Sequence, residues 1–175
     1  MKYYQELTIL PSYDIASYVI WGKVYQQLHL GFASALNAGG NIKTGVSFPE
    51  YRIDNGKGLL GNKLRIFAES ESELKKLGFD KLLSRLNDYI HLTRIREVPE
   101  KIKGYAVYSR VHRENSQEQK SRRFAKRHNV SYEEALGKFS ADSLYCECPY
   151  IQMQSLTNRH SFKLFIKKEA VQEAV

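Results

Sequence analysis

The sequence has no apolar run of about 18 residues or more, so no transmembrane helix is expected. Its opening residues, Met1-Lys2-Tyr3-Tyr4-Gln5-Glu6, reach an acid before any signal-like apolar stretch, so the chain is expected to stay in the cytoplasm. Cysteine is scarce. Cys146 and Cys148 are the whole supply. One intervening residue makes a poor disulfide ring, and no second Cys/His pair stands nearby to complete a zinc site. Two reduced thiols are therefore expected. Asp, Glu and His form no compact cluster at ligand spacing, so no metal and no cofactor are expected. Acids are outnumbered, 19 Asp and Glu against 27 Lys and Arg, giving a net charge of +8 over 175 residues. A surplus of that size favours a polyanionic partner, nucleic acid ahead of an anionic membrane.

The length fits one or two small domains with a real core. Tyr3 to Leu10 alternates as a strand and stops at Pro11. Asp14 can cap a helix from about Ile15 to Leu36, with Tyr18, Trp21, Val24, Tyr25, Leu28 and Phe32 on its apolar side. Thr44 to Phe48 is β-prone and ends at Pro49. A polar Gly-rich turn, Asp54 to Gly61, leads to a strand from Lys63 to Ala68. Ser70-Glu71-Ser72-Glu73 is a capping box opening a helical stretch to about Leu86, with a break at Gly78. Tyr89 to Val98 alternates again. The order is β-α-β-β-α-β, which predicts a ferredoxin-like domain over residues 1–98.

Composition shifts after Pro99. Between Lys101 and His128 stand nine cations and only two acids, Glu114 and Glu118, a surplus of seven out of the net eight. Residues 99–175 are thus expected to form a smaller C-terminal α+β region built around an arginine-rich helix. Ser116-Gln117-Glu118-Gln119 has the form of a capping box, opening a helix that reaches Arg127. On its helical wheel Lys120, Arg122, Arg123, Lys126 and Arg127 span about 160°, with Phe124, Ser121 and Ala125 on the side left for packing. Like charges this close repel by a few tenths of a kcal/mol per neighbouring pair, roughly, and a polyanion offsets that. A merely solvated face, DNA and RNA are all compatible with such a helix, although solvated faces usually carry interspersed acids. Ser131-Tyr132-Glu133-Glu134 has capping-box form too, and Tyr150 to Gln154 and Phe162 to Lys168 look like paired strands.

Several pieces in their order carry a family resemblance: Gly45-Val46-Ser47-Phe48-Pro49, Ser109-Arg110-Val111 ahead of the basic helix ending Lys126-Arg127-His128, and Ser155-Leu156-Thr157-Asn158 leading to Phe162-Lys163-Leu164-Phe165-Ile166. The chain resembles the type I-F CRISPR-associated endoribonucleases that process precursor guide RNA. The resemblance implies an enzyme that needs no metal and cuts CRISPR repeat RNA at the 3′ base of a stem-loop. The ribose 2′-hydroxyl attacks the adjacent phosphate, leaving a 2′,3′-cyclic phosphate and a 5′-hydroxyl. It further implies that the protein stays on its product, the crRNA, and joins the other subunits of the type I-F surveillance complex. A non-cleaving hairpin-binding subunit of that complex is the alternative. An unrelated basic α+β protein on DNA or ribosomal RNA stands third.

The base for such chemistry is most naturally a histidine, whose ordinary pKa lies near working pH, and His29, His91, His112, His128 and His160 compete for the role. The resemblance points to the first helix. An ungapped alignment on Gly22-Lys23 puts Tyr25 at the catalytic position. Alignment on Leu28-His29 instead requires about four extra residues in the Asn37 to Asn41 loop, which loops accept cheaply. His29 is preferred, because a tyrosine with an ordinary pKa of about 10 is a poor base. Ser155 matches the serine that orients the attacking hydroxyl, Thr157 and Asn158 match neighbours of the scissile phosphate, and Phe162 matches an aromatic on which the terminal base pair stacks. Arg110 matches an arginine that reads a guanine. His112 stands where the family has a glutamine, and Arg113 extends the basic segment. One departure is plain: the family continues into a Gly-rich strand whose tyrosine helps place the catalytic histidine, whereas this sequence reads Val171-Gln172-Glu173-Ala174-Val175.

Overall fold

The structure, a computed structural model, describes residues 1–37, 43–102, 104–111, 117–139 and 147–173. Its elements are β1 (Tyr3–Ile9), α1 (Ser17–Asn37), β2 (Thr44–Ser47), β3 (Arg52–Asp54), β4 (Lys57–Leu59), β5 (Lys63–Ala68), α2 (Glu71–Leu77), α3 (Phe79–Leu82), a 3-10 turn (Ser84–Leu86), β6 (Ile90–Leu92), β7 (Arg96–Glu97), β8 (Tyr105–Val111), α4 (Gln117–His128), α5 (Tyr132–Leu136), β9 (Tyr150–Gln154) and β10 (Ser161–Val171). The chain is an α+β protein with antiparallel sheets. No helix among the described residues is long and apolar enough to cross a membrane.

The first sheet runs β2-β5-β1-β6, with β7 also pairing to β1. Alternation sets its two faces. Leu7 and Ile9 of β1 and Leu64, Ile66 and Ala68 of β5 are buried beneath α1 and α2. Tyr4, Glu6 and Thr8 point the other way, opposite Phe67, Arg65 and Lys63. Ile20, Trp21, Val24 and Leu28 make the buried stripe of α1. That helix starts at Ser17, later than a cap at Asp14 would give; the Ala16 carbonyl accepts the first amides, and Ser12 Oγ accepts those of Asp14 and Ile15. The Ser70–Glu73 capping box forms in full, and Gly78, at φ +58°, ends α2 where it was expected to break. At α5 Ser131 accepts the Glu134 amide.

The second sheet, β8-β10-β9, lays Ile151, Met153, Leu164 and Ile166 into the same buried cluster. β9 packs along α1, so that helix has a sheet on either side. Phe48, fully buried, ties the layers together: its ring meets Trp21 at 5.7 Å and Tyr108 of β8 at 5.5 Å. Each such pair adds about 0.5–1.5 kcal/mol beyond the area it buries. Polar bonds lock the same joint. Tyr108 Oη donates to the Phe48 carbonyl at 3.0 Å, Tyr51 Oη to the Ile166 carbonyl at 3.2 Å, and Trp21 Nε1 to the Gly61 carbonyl at 3.0 Å.

Other features differ from expectation, among them β8, which was not anticipated. The polar turn after Asp54 is a β3–β4 hairpin around Asn55-Gly56, both at positive φ (48° and 74°), a combination suited to a two-residue hairpin loop. Cys148 is disulfide-bonded, so the expectation of reduced thiols fails there; Cys146 lies outside the described residues.

Candidate nucleic-acid interface and active site

α4 carries its charge where its periodicity puts it. Ser121 is fully buried and Phe124 and Ala125 are half-buried, while Arg122, Arg123, Lys126 and Arg127 are exposed and Lys120 is half-buried. The inner side is held locally. Phe124 meets Phe139 edge-on at 5.7 Å and stacks on His128 at 4.2 Å, with Lys138 Nζ over its ring at 4.8 Å. Gln117 Nε2 donates to the carbonyls of Leu136 and Phe139 at 3.1 and 2.7 Å, fastening the first turn of α4 to the end of α5. Ser121 Oγ donates to the Gln117 carbonyl, so the buried hydroxyl is satisfied. The principal packing partner of α4 is α5. The pair forms a two-helix arm with a cationic outer side.

Strand pairing joins two other candidates that the sequence separates. In the β8–β10 register Arg110 lies opposite Ile166, and β10 carries Phe162 on that same face. The Arg110 guanidinium sits 5.8 Å from the Phe162 ring centroid. A cation held over an aromatic ring is ready to meet a base plane and a phosphate together. His112 and Arg113 lie outside the described residues.

Between β9 and β10 the chain turns tightly. The Ser155 amide donates to the His160 carbonyl at 2.8 Å, and the Arg159 amide to the Ser155 carbonyl at 2.9 Å. Asn158 Oδ1 accepts the His160 amide at 3.1 Å, so this side chain helps shape the turn whatever else it does. Arg159 stands at φ +56°. Thr157 and Asn158 are exposed and Ser155 is half-buried.

His29 is exposed on α1; Tyr25, one turn earlier, packs against the core. Burial raises the Tyr25 pKa above its ordinary value, which makes that phenol a still poorer base. α1 meets β9 closely: a Cβ at Gly22 would stand 2.6 Å from the Gln152 carbonyl oxygen. The helix of His29 and the strand leading into Ser155 are therefore in direct contact. Sequence reasoning missed what sets this contact, namely Gly22 and the Phe48–Tyr108 joint. A glycine on an apolar helix face gives only a weak hint of such close approach.

A family model described as "CRISPR-associated protein (Cas_Csy4)" matches residues 4–175. A protein of Escherichia coli named "CRISPR-associated endonuclease Cas6/Csy4" is 29% identical over 168 residues, covering 95% of this chain and 85% of the relative. One of Pseudomonas aeruginosa with the same name is 28% identical over 173 residues, covering 98% and 88%.

Proposed function

Because the chain belongs to the Cas_Csy4 family of CRISPR-associated proteins, we propose that it is an endoribonuclease that binds the stem-loop of CRISPR repeat RNA and cuts at the 3′ base of the stem. The observation that carries this reading is the family match across residues 4–175. The exposed cations of α4 support the RNA half of it, and the contact of α1 with β9 supports the cleaving half. The strand order β2-β5-β1-β6 supports a ferredoxin-like fold for residues 1–98, with residues 99–175 supplying the RNA-binding region.

In this mechanism Arg122, Arg123, Lys126 and Arg127 hold backbone phosphates of the stem, with Lys120 at the edge of the same face. A-form RNA keeps its major groove narrow, so the helix fits best near the loop or the stem end. Phe162 stacks on the closing base pair while Arg110 reads a base edge beside it. His29 takes the proton of the 2′-hydroxyl, and Ser155 orients that hydroxyl toward phosphorus. The new 2′-O–P bond forms as the P–O5′ bond breaks, giving a 2′,3′-cyclic phosphate, and the departing oxygen gains a proton to become a 5′-hydroxyl. Thr157 and Asn158 border the phosphate through the turn. No metal enters these steps. The protein then stays on the processed RNA within the type I-F complex.

The test uses a repeat hairpin and a copy with 2′-deoxyribose at the cleavage nucleotide, both in excess EDTA. Cleavage of the first, with binding but no cleavage of the second, is the expected result; cleavage of both would remove the 2′-hydroxyl from the mechanism. Binding of both without cleavage would identify a passive hairpin-binding subunit. His29→Ala is expected to bind normally and lose cleavage, and full activity in that variant would place the base elsewhere.

A further inference from the structure

The face of the first sheet turned away from α1 and α2 is half-buried, with Tyr4, Glu6, Arg65 and Phe67 all of intermediate exposure and the start of β8 lying across part of it. Its middle is aromatic and cationic. Tyr4 of β1 and Phe67 of β5 are register partners, with ring centroids 5.8 Å apart and planes tilted by 32°. The Arg65 guanidinium lies 5.2 Å from the Tyr4 ring centroid. These residues floor a cleft of about 650 Å³ whose far wall is the start of β8, including Tyr105 and Tyr108, with Lys101 and Lys168 at its rim. Among the described residues no aspartate or glutamate lines it. Glu6, on this face, is held by Arg65 at 2.6 Å and Lys63 at 3.7 Å, and Glu69 is paired with the Met1 amino group at 3.2 Å.

We propose that this cleft binds one or two unpaired nucleotides of single-stranded RNA continuous with the hairpin, stacking a base on Tyr4 or Phe67 and holding phosphate with Lys101, Lys168 and Arg65. Three features select that occupant. Half-buried rings on neighbouring strands, both lining the cleft, offer π surfaces, and every base has a π face to meet them. Inside a duplex those faces are covered by the neighbouring pairs, and the one free end of the stem is already assigned to Phe162, which leaves unpaired nucleotides for the cleft. The cationic lining without acids suits a polyanion rather than a cationic or neutral partner. β8 supplies a route: Tyr108, in the cleft lining, shares a face of the strand with Arg110, about 7 Å further on and beside Phe162. An RNA whose stem end rests at Phe162 thus has a single-stranded neighbour within reach of Tyr4 and Phe67. The inference rests on the hairpin reading only for this continuity.

Fluorescence anisotropy on the full chain tests it at one fixed salt concentration. The probes are the 2′-deoxy-blocked hairpin alone, the same hairpin with a single-stranded flank on its 5′ or its 3′ side, and each flank as an unstructured oligonucleotide. One flank is expected to tighten binding on the order of tenfold. The Tyr4→Leu/Phe67→Leu variant keeps apolar surface but removes both π faces. It should lose that gain and bind the bare hairpin as the wild type does. In the wild-type protein, 4-thiouridine placed in the flank should cross-link to Tyr4, Phe67 or Tyr105. No gain from either flank, an equal gain in the variant, or cross-links only elsewhere would overturn the proposal and leave the face to a protein partner. If the bare hairpin does not bind while an oligonucleotide does so in a Phe67-dependent way, the hairpin reading falls and the cleft proposal stands.

Discussion

Alanine at Gly22 sets two opposing effects against each other. Inside a solvated helix, Gly→Ala stabilises by about 1 kcal/mol through backbone entropy. Here the new Cβ would lie 2.6 Å from the Gln152 carbonyl oxygen, and ordinary contact begins at 3.4 Å, so α1 and β9 must part by 0.8 Å. That oxygen is backbone in the middle of a strand, held by the pairing of Gln152 with Lys163, and cannot swing aside. Overpacking of this kind costs about 1–3 kcal/mol, which exceeds the propensity gain. A net loss of up to about 2 kcal/mol, or a few degrees in Tm, is expected. The larger effect falls on chemistry. In the proposed mechanism α1 carries the base His29 and β9 leads into Ser155, and a misplacement near 1 Å at reacting groups can cost about a hundredfold in rate. Single-turnover cleavage with the Gly22→Ala protein at saturating concentration is thus expected to slow by roughly ten- to a hundredfold, with hairpin affinity within about a factor of two, because α4 is untouched. Gly31→Ala is the control: among the described residues its Cβ meets only the Leu82 side chain, whose Cδ1 end can rotate. A Gly22→Ala protein that melts higher and cuts at the wild-type rate would refute the reasoning.

Three further outcomes are expected. Arg123→Ala/Arg127→Ala should weaken hairpin binding and flatten the slope of log affinity against log salt by roughly one to two units, measured by titration at several salt concentrations; an unchanged slope would mean a wet surface and no phosphate contacts. Phe162→Leu should weaken binding by about 1–3 kcal/mol if a base pair stacks there, and equal affinity would return Phe162 to a packing role. Glu6 concerns acid stability: burial alone would raise its pKa, but the hydrogen bond and charge of Arg65, with Lys63, outweigh that and hold it below the ordinary value. A depressed folded pKa gives stability that is present above the unfolded pKa and is lost as pH falls through the folded one. Glu6→Gln should therefore melt lower at neutral pH and show a shallower acid-side decline of Tm, and parallel Tm–pH curves would contradict the assignment.

What could be read from the sequence was local. The stripe of α1 apart from Tyr18, which is exposed, the cap at Ser70, the stop at Gly78 and the packing side of α4 each follow from residues within a turn or two of one another. The β3–β4 hairpin escaped notice because its strands are largely exposed and show no apolar alternation, although Asn55-Gly56 carried the turn signal. β8 escaped for a different reason: it is completed by pairing with β10, far along the chain, and its outward residues resemble a loop. The same distance hid the Arg110–Phe162 contact, which resemblance alone had placed near one site. Tyr4 and Phe67 gave no sign either, since only the register of β1 with β5 makes them neighbours.

The arm formed by α4 and α5 is fastened from within, by Phe124 on Phe139 and by Gln117 on two carbonyls. Its cations can thus be redrawn without disturbing the joint of Phe48, Trp21 and Tyr108 that aligns the sheets. Under the proposed function, the grip on RNA phosphates and the place where a bond breaks become separately adjustable properties of one small chain, and exchange of the arm between relatives would change the first while leaving the base contacts of Arg110 and Phe162 in place.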